Sequence, residues 1–228
     1  MELFILVSVL LLLLITILLV IRGKIISNNL VKSPMVQEEI EKISDFIADI
    51  KMQKRHYFRN SQKEAFLKDY EVLYRKFRSS SYRSLSKISV VREFREIYEK
   101  LNDLVRQWND EYVSAEMNEN DAFFNNIDGK SLDQQQRKAV IVDEDNNLVL
   151  AGAGSGKTLT ISAKVKYLVK KRGVSPKDIL LISFTKKSAK EMQDRVATRL
   201  EIDVEAKTFH KLGLEIISAS RGIRQSSP

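Results

Sequence analysis

Leu148-Val149-Leu150-Ala151-Gly152-Ala153-Gly154-Ser155-Gly156-Lys157-Thr158 is an apolar tetrad that runs without a break into a glycine-rich turn closed by lysine and threonine. An uninterrupted apolar run is what a parallel strand covered on both faces requires. Gly154 and Gly156 give access to backbone conformations closed to other residues, so successive amides can converge on phosphate oxygens. The amphipathic stretch Leu159–Lys171 predicts a helix, whose positive N-terminal end adds to the same anion site. Strand, turn and helix together make a P-loop. In this reading Ala151, Gly152, Ala153, Gly154, Ser155, Gly156, Lys157 and Thr158 hold a nucleotide. Lys157 bridges the β- and γ-phosphates and Thr158 offers its hydroxyl to Mg²⁺, which makes these two the candidate catalytic residues and ATP with Mg²⁺ the expected ligands. Ala151 occupies the first position of the pattern in place of glycine.

Working outward, Gly173 can end that helix, Ser175-Pro176 turns the chain, and Ile179-Leu180-Leu181-Ile182 supplies a further strand. A helix from about Lys186 to Leu200, a strand at Val204–Thr208 and a helix from Phe209 follow. Upstream, Ser131 and Gln134 have capping-box spacing for a helix through about Val142, and Asn146-Asn147 reads as a turn. The βαβαβα order implies α/β architecture: a parallel sheet with right-handed crossovers, as in a RecA-like domain.

The 228 residues are 43% hydrophobic and 30% charged, ordinary for one or two globular domains. The absence of cysteine rules out disulfides and thiolate metal sites. The net charge of +8 is uneven. Residues 22–128 hold 19 basic and 18 acidic side chains, and residues 129–228 hold 19 and 11. The excess lies with the P-loop, where it either attracts a polyanion or is simply a solvated lysine-rich surface.

Leu3 to Ile21 carries no charge, and Ser8 and Thr16 are its only polar side chains. Nineteen such residues span close to the ~30 Å hydrocarbon core as a helix, so an N-terminal transmembrane anchor is expected rather than a cleaved signal peptide. Arg22, Lys24 and Lys32 place the downstream side in the cytoplasm, making this a single-pass membrane protein with its bulk on the cytoplasmic side. Residues 33–128 read as a helical hairpin or coiled-coil spacer. Ser33-Pro34 marks a helix start, followed by Ile40, Ile43, Ile47 and Ile50 on one face, and Ser61 with Glu64 suggests a second start. Phe66-x3-Tyr70-x2-Leu73 is echoed by Phe94-x3-Tyr98-x2-Leu101 across the serine-rich turn 79–89. Residues 51–87 hold 11 basic and 3 acidic side chains and residues 88–128 hold 4 and 10, so the arms can pair by charge as well as by apolar stripe. The alternative for the basic cluster is a nucleic-acid or lipid-headgroup site.

Three segments carry a family resemblance. Leu132-Asp133-Gln134-Gln135-Gln136-Arg137-Lys138-Ala139-Val140 resembles the adenine-reading Q motif of the UvrD/Rep superfamily 1 helicases, with Gln136 matching the glutamine that contacts the base. Phe184-Thr185-Lys186-Lys187-Ser188-Ala189-Lys190-Glu191-Met192 resembles motif Ia, with Lys186 where the family more often has asparagine, and Lys207-Thr208-Phe209-His210 resembles motif Ib. The helicase IV-like branch is the nearest in pattern. The resemblance implies a 3′–5′ ATP-dependent DNA helicase, with Phe184, Thr185, Thr208, Phe209 and His210 along a single-stranded DNA track.

The family's Asp-Glu motif and its arginine-bearing second domain are expected downstream of Pro228, and Asp143-Glu144-Asp145 reads as a polar turn rather than a substitute. The domains expected are thus an anchor at 3–21, a spacer at 33–128 and a partial RecA-like segment at 129–228, truncated or split from a C-terminal motor half and a poor ATPase alone. The competing expectation is a non-catalytic, membrane-tethered interaction protein with a vestigial P-loop.

Overall fold

The computed structural model describes residues 2–221, and the side chains of residues 2–7, 24 and 26–28 lie outside the description with residues 222–228. The chain forms two compact units, Met1–Asp110 and Glu111–Pro228.

The first unit begins with α1 (Glu2–Val31). Pro34 then opens α2 (Pro34–Gln53) behind an extended Ser33, as proline at the first helical position should, although the Ser33 side chain makes no capping bond. The isoleucine face predicted for this helix is the packed one: Ile43, Ile47 and Ile50 are buried and Ile40 rests on the same cluster. The next helix, α3 (Asn60–Arg78), starts just ahead of Ser61. Its first turn is closed by Gln62, whose Oε1 accepts the Arg59 N–H at 2.9 Å, and not by Glu64.

The serine-rich turn is a 3₁₀ helix, Ser80–Lys87, leading into α4 (Ser89–Glu119). Descending positions of α3 meet rising positions of α4: Tyr74 stacks on Tyr98 at 4.2 Å, the Tyr98 hydroxyl donates to the Leu67 carbonyl, and Asn109 exchanges hydrogen bonds with the Phe58 backbone. The hairpin is therefore antiparallel. It is also not a two-stranded coiled coil, because α2 inserts Phe46 against Phe66, Tyr70 and Phe94 with centroids 5.9, 4.7 and 5.1 Å away. An aromatic cluster among three helices replaces a heptad seam. Phe46, Phe58, Phe77 and Phe94 are fully buried, each worth about 1.5–3 kcal/mol, whereas exposed ion pairs contribute ~0–1 kcal/mol. Charge pairing follows the three helices too: Lys76 of α3 meets Glu39 of α2, and Lys51 of α2 meets Glu93 of α4 at 2.8 Å.

Among the described residues, no helix is long and apolar enough to cross a membrane, so the transmembrane helix expected at 3–21 is unsupported. The part of that run with described side chains, from Ser8 to Ile21, covers only about 21 Å at 1.5 Å per residue. The side chains of residues 3–7 and 24 lie outside the description. The large apolar side chains of 9–21 are open to solvent, from 46% exposed at Ile15 to 68% at Leu12.

The second unit takes in the last turns of α4, the short α5 (Asp121–Phe124), α6 (Gln134–Ile141), α7 (Lys157–Arg172), β1 (Leu180–Ser183), α8 (Lys186–Leu200), β2 (Glu205–Thr208) and α9 (Phe209–Ser220). Tyr167 of α7 is buried against Phe124 and donates to Glu116 at 2.6 Å, and Arg172 donates to the Tyr112 hydroxyl at 2.6 Å. The end of α4 thus packs with α7. Gly173, at φ +69, ends α7 in the left-handed conformation that its residue type favours.

β1 and β2 pair in parallel, with Ser183 opposite Thr208, over a core of Val165, Leu181, Val196, Leu200, Ile202 and Val204. The strand expected at Leu148–Ala151 is not formed. A strand exists only through a neighbour's hydrogen bonds, and among the described residues β1 has β2 as its sole partner. Leu148 and Leu150 consequently stand 85% and 86% exposed. The structure is mostly helical with a two-stranded parallel sheet, a partial α/β domain and not the three-stranded one the sequence suggests.

Candidate nucleotide site

The glycine turn has the conformation that its residues permit. Gly154 and Gly156 sit at φ +75 and +81, and Gly156 is the residue on which α7 begins at Lys157. The first amides of a sixteen-residue helix therefore have no helical acceptor and face the turn. Lys157 folds back over it, its Nζ donating to the carbonyls of Ala151 at 3.0 Å and Gly152 at 2.6 Å. The Ser155 hydroxyl donates to the same Gly152 carbonyl at 2.8 Å. An arriving phosphate would exchange the neutral carbonyl acceptors of the Lys157 ammonium for charged oxygens, turning ion–dipole bonds into ion pairs.

Gln136 is held between two segments. Its Oε1 accepts the Asp133 N–H at 3.1 Å while Asp133 Oδ1 accepts the Gln136 N–H at 2.9 Å, a reciprocal capping box. Its Nε2 donates to the Ser155 carbonyl at 3.1 Å. The helix therefore starts behind Asp133 and not at the Ser131–Gln134 pair; the Ser131 hydroxyl instead donates to Asn125. The amide keeps one N–H and one lone pair for a ligand.

Two residues that the sequence did not single out fix this arrangement. Arg137 donates to the Leu132 carbonyl, Asp121 and Asn125 at 2.9, 2.6 and 2.7 Å and lies over the Phe124 ring. Lys164 of α7 donates to the carbonyls of Val140 and Val142 at 2.7 and 2.8 Å, taking up acceptors left open at the end of α6. Nothing in their spacing announces these roles, since both partners are backbone or distant in sequence.

The residues fit ATP. A recess of about 500 Å³ between α6 and the turn is bounded by Gln136, Ala139, Val149, Leu150, Lys157 and Ile161, within the size range of small-molecule sites. An added Cβ at Gly152 or Gly154 would meet nothing within 4 Å, so space lies over the loop. For Mg²⁺ the fit is partial. Thr158 is exposed and supplies one hydroxyl. No group of three or more metal-binding side chains occurs among the described residues, so phosphate oxygens and water would complete the shell. Asp143-Glu144-Asp145 lies in a polar turn, where Glu144 accepts from the Asp145 N–H and the Asn147 amide.

The candidate DNA residues come together at one place. Because Ser183 is opposite Thr208 in a parallel pair, Phe184-Thr185 and Phe209-His210 leave the sheet side by side, at the strand ends where ligands of α/β folds bind. Phe184 is 86% and Phe209 64% exposed, so neither is a packing residue, and His210 is exposed as well. The hydroxyls are committed locally: Thr185 caps α8 by accepting the Ser188 N–H, and the buried Thr208 caps α9 by accepting the Lys211 N–H. Lys207 pairs with both Glu205 and Glu215, and the Glu205 hydrogen bond above all holds its ammonium above the ordinary lysine range, so it is not a loose cation for a phosphate.

Residues 132–222 match the sequence model of the UvrD/REP helicase N-terminal domain. The chain is 42% identical over 112 residues to DNA helicase IV of Escherichia coli, an alignment covering 49% of this chain and 16% of that one. It is 43% identical over 90 residues to the ATP-dependent DNA helicase Rep of Buchnera aphidicola, covering 38% and 13%. Against the ATP-dependent DNA helicase PcrA of Staphylococcus epidermidis it is 38% identical over 91 residues, covering 39% and 12%. The match thus spans about a sixth or less of each of these relatives.

Proposed function

We propose, with the UvrD/REP helicase N-terminal segment at residues 132–222 as premise, that this chain supplies the ATP-binding opening of a UvrD-like DNA helicase motor. The observation that carries this reading is the Gln136 bridge. One side chain ties the Q segment to the P-loop carbonyl of Ser155, so a base held by the first and phosphates held by the second share one support. Lys157 and the amides at the start of α7 neutralise and orient the phosphates, and Thr158 presents an oxygen to Mg²⁺. When bound, ATP with Mg²⁺ supplies the phosphoryl group for transfer to water. Phe184, Phe209 and His210 offer stacking faces to single-stranded DNA at the strand ends, and Thr185 and Thr208 fix the turns that present them. Unwinding, with 3′–5′ movement, belongs in this reading to the complete machinery, in which a C-terminal motor half covers the exposed 148–150 segment and brings the remaining catalytic carboxylates and arginines.

Membrane attachment is part of the same proposal. The uncharged run 3–21, whose large apolar side chains from Val9 to Ile21 are exposed, supports insertion of α1, with the rest of the chain on the cytoplasmic side.

A titration with a fluorescent ATP analogue and with labelled single-stranded DNA tests the motor reading. The chain should bind both and turn ATP over poorly, and Lys157→Ala should abolish nucleotide binding; unchanged binding in that variant would refute the P-loop assignment. A second reading, a non-catalytic tethered interaction protein, is favoured by one observation, the apolar surface at Leu148, Val149 and Leu150. It predicts no nucleotide binding by the wild-type chain.

A further inference from the structure

Residues 72–92 contain six basic side chains, six serines and no acid. This stretch is the end of α3, the 3₁₀ helix Ser80–Lys87 and the start of α4, so the hairpin gathers all of it at one end of the first unit. The same end receives α1: its Leu30 and Val31 pack on the core, and α1 touches both α2 and the 3₁₀ helix. Arg75, Arg78, Arg83, Lys87 and Arg92 are exposed there, with Arg22 and Lys32 on the approach. The acids of the adjoining α2 turn are committed, Glu38 to Lys42 and Glu39 to Lys76. Among the described residues neither Arg83 nor Lys87 has an ion-pair partner. Arg75 pairs with Glu71, Lys76 with Glu39, and Arg78 donates to the Tyr74 hydroxyl at 3.3 Å, so Arg83 and Lys87 are the charges of this end that no acid of the unit neutralises among the described residues.

We propose that this end of the helical unit docks on an anionic lipid surface, with Arg78, Arg83 and Lys87 against the headgroup phosphates. The inference rests on the attachment through α1 given above. Leu30 follows Ile21 by nine residues, about 14 Å along a helix. The headgroup layer on one side of a bilayer is roughly 5–8 Å thick, so an inserted apolar run leaves the basic end within about one Debye length (~8 Å) of the headgroups. At that range each lysine or arginine adds a measurable attraction to an anionic leaflet. A polynucleotide backbone offers similar charge, but the basic end is the one from which the solvent-exposed apolar helix projects, and that favours lipid.

The test is co-sedimentation of the full chain with phosphatidylcholine vesicles and with vesicles also containing phosphatidylserine, for the wild type and the triple variant Arg78→Glu/Arg83→Glu/Lys87→Glu. Circular dichroism establishes that the variant keeps its helices, and an Arg78→Gln/Arg83→Gln/Lys87→Gln version guards against charge-reversal artefacts. The wild type should bind the anionic vesicles at least about tenfold more tightly, with a preference that fades as salt rises, and both variants should lose that preference while sedimenting with phosphatidylcholine as before. Equal binding of the wild type to both vesicle types, or a variant that keeps the preference, overturns the proposal. So does loss of single-stranded DNA binding with the lipid preference intact, which would assign this end to nucleic acid. Deletion of residues 3–21 separates the two readings: if phosphatidylcholine binding survives that deletion, the attachment through α1 fails, whatever the anionic preference.

Discussion

The side-chain amide of Gln136 donates to the backbone carbonyl of Ser155 at 3.1 Å, joining the P-loop turn to a segment nineteen positions upstream. The bond lies where a base and a phosphate chain would meet. Gln136→Ala removes it together with the capping-box bond from the Asp133 N–H, and should cost about 1–3 kcal/mol of stability in the second unit, at ~0.5–1.5 kcal/mol per bond. It should also cost recognition: ATP affinity should fall about tenfold and the preference for ATP over GTP should disappear, read by competition between the two nucleotides. A variant that binds ATP weakly but still rejects GTP would show that Gln136 supports the loop without reading the base.

Gly156 faces that same glutamine. A Cβ at this position would lie 2.8 Å from Gln136 Nε2, and the residue sits at φ +81, where an L side chain costs about 1–2 kcal/mol. Gly156→Ala should therefore displace the turn and reduce nucleotide binding at least about tenfold. The double variant Gly156→Ala/Gln136→Ala relieves the contact and leaves the backbone strain. Because Gln136→Ala by itself weakens ATP binding, the comparison is made by thermal unfolding: relative to Gln136→Ala alone, adding Gly156→Ala should destabilise as much as it does in the wild type if strain dominates, and clearly less if the contact does.

Much of this site was legible in the residues, for a physical reason. Helices announce themselves locally, so α2, α7, α8 and α9 lie within a residue or two of where proline, glycine and apolar spacing placed them. Strands depend on neighbours that no local pattern supplies. Leu148–Ala151 has the composition of a buried strand and no pairing partner among the described residues, so its composition alone could not make it one. Capping was misjudged by small offsets, because Ser131 and Asp133 both head acceptable boxes and only packing decides that Asp133 is used. The two-armed hairpin became three helices because Phe46 of α2 fills the space between the aromatic stripes, a contact at sequence separations of twenty and more.

Tyr167 gives a pH dependence. Burial, then its hydrogen bond to Glu116, raises its hydroxyl well above the usual tyrosine range. In the unfolded chain the group titrates near pH ~10. Its folded form keeps the proton above that pH while the unfolded form releases it, so its contribution is complete below pH ~10 and is lost as pH rises further. Alkaline denaturation of the second unit should be less steep in Tyr167→Phe than in the wild type. At neutral pH the variant should lose about 1–3 kcal/mol, because Glu116 loses a partner.

Phe184 and Phe209 separate binding from folding. Both are large aromatics left mostly in solvent at adjoining strand ends, so truncating either removes little buried surface, and Phe184→Ala or Phe209→Ala should change stability by no more than about 0.5 kcal/mol. Each ring stacked on an unpaired base should be worth about 1–3 kcal/mol, so single-stranded DNA affinity should fall roughly five- to a hundredfold per variant, measured by fluorescence anisotropy. Nucleotide binding should be unaffected, since neither ring borders the Gln136 recess. If instead both variants unfold early in thermal melts and bind DNA normally, the aromatics serve an apolar interface with another part of the motor, and the strand ends are not the DNA track.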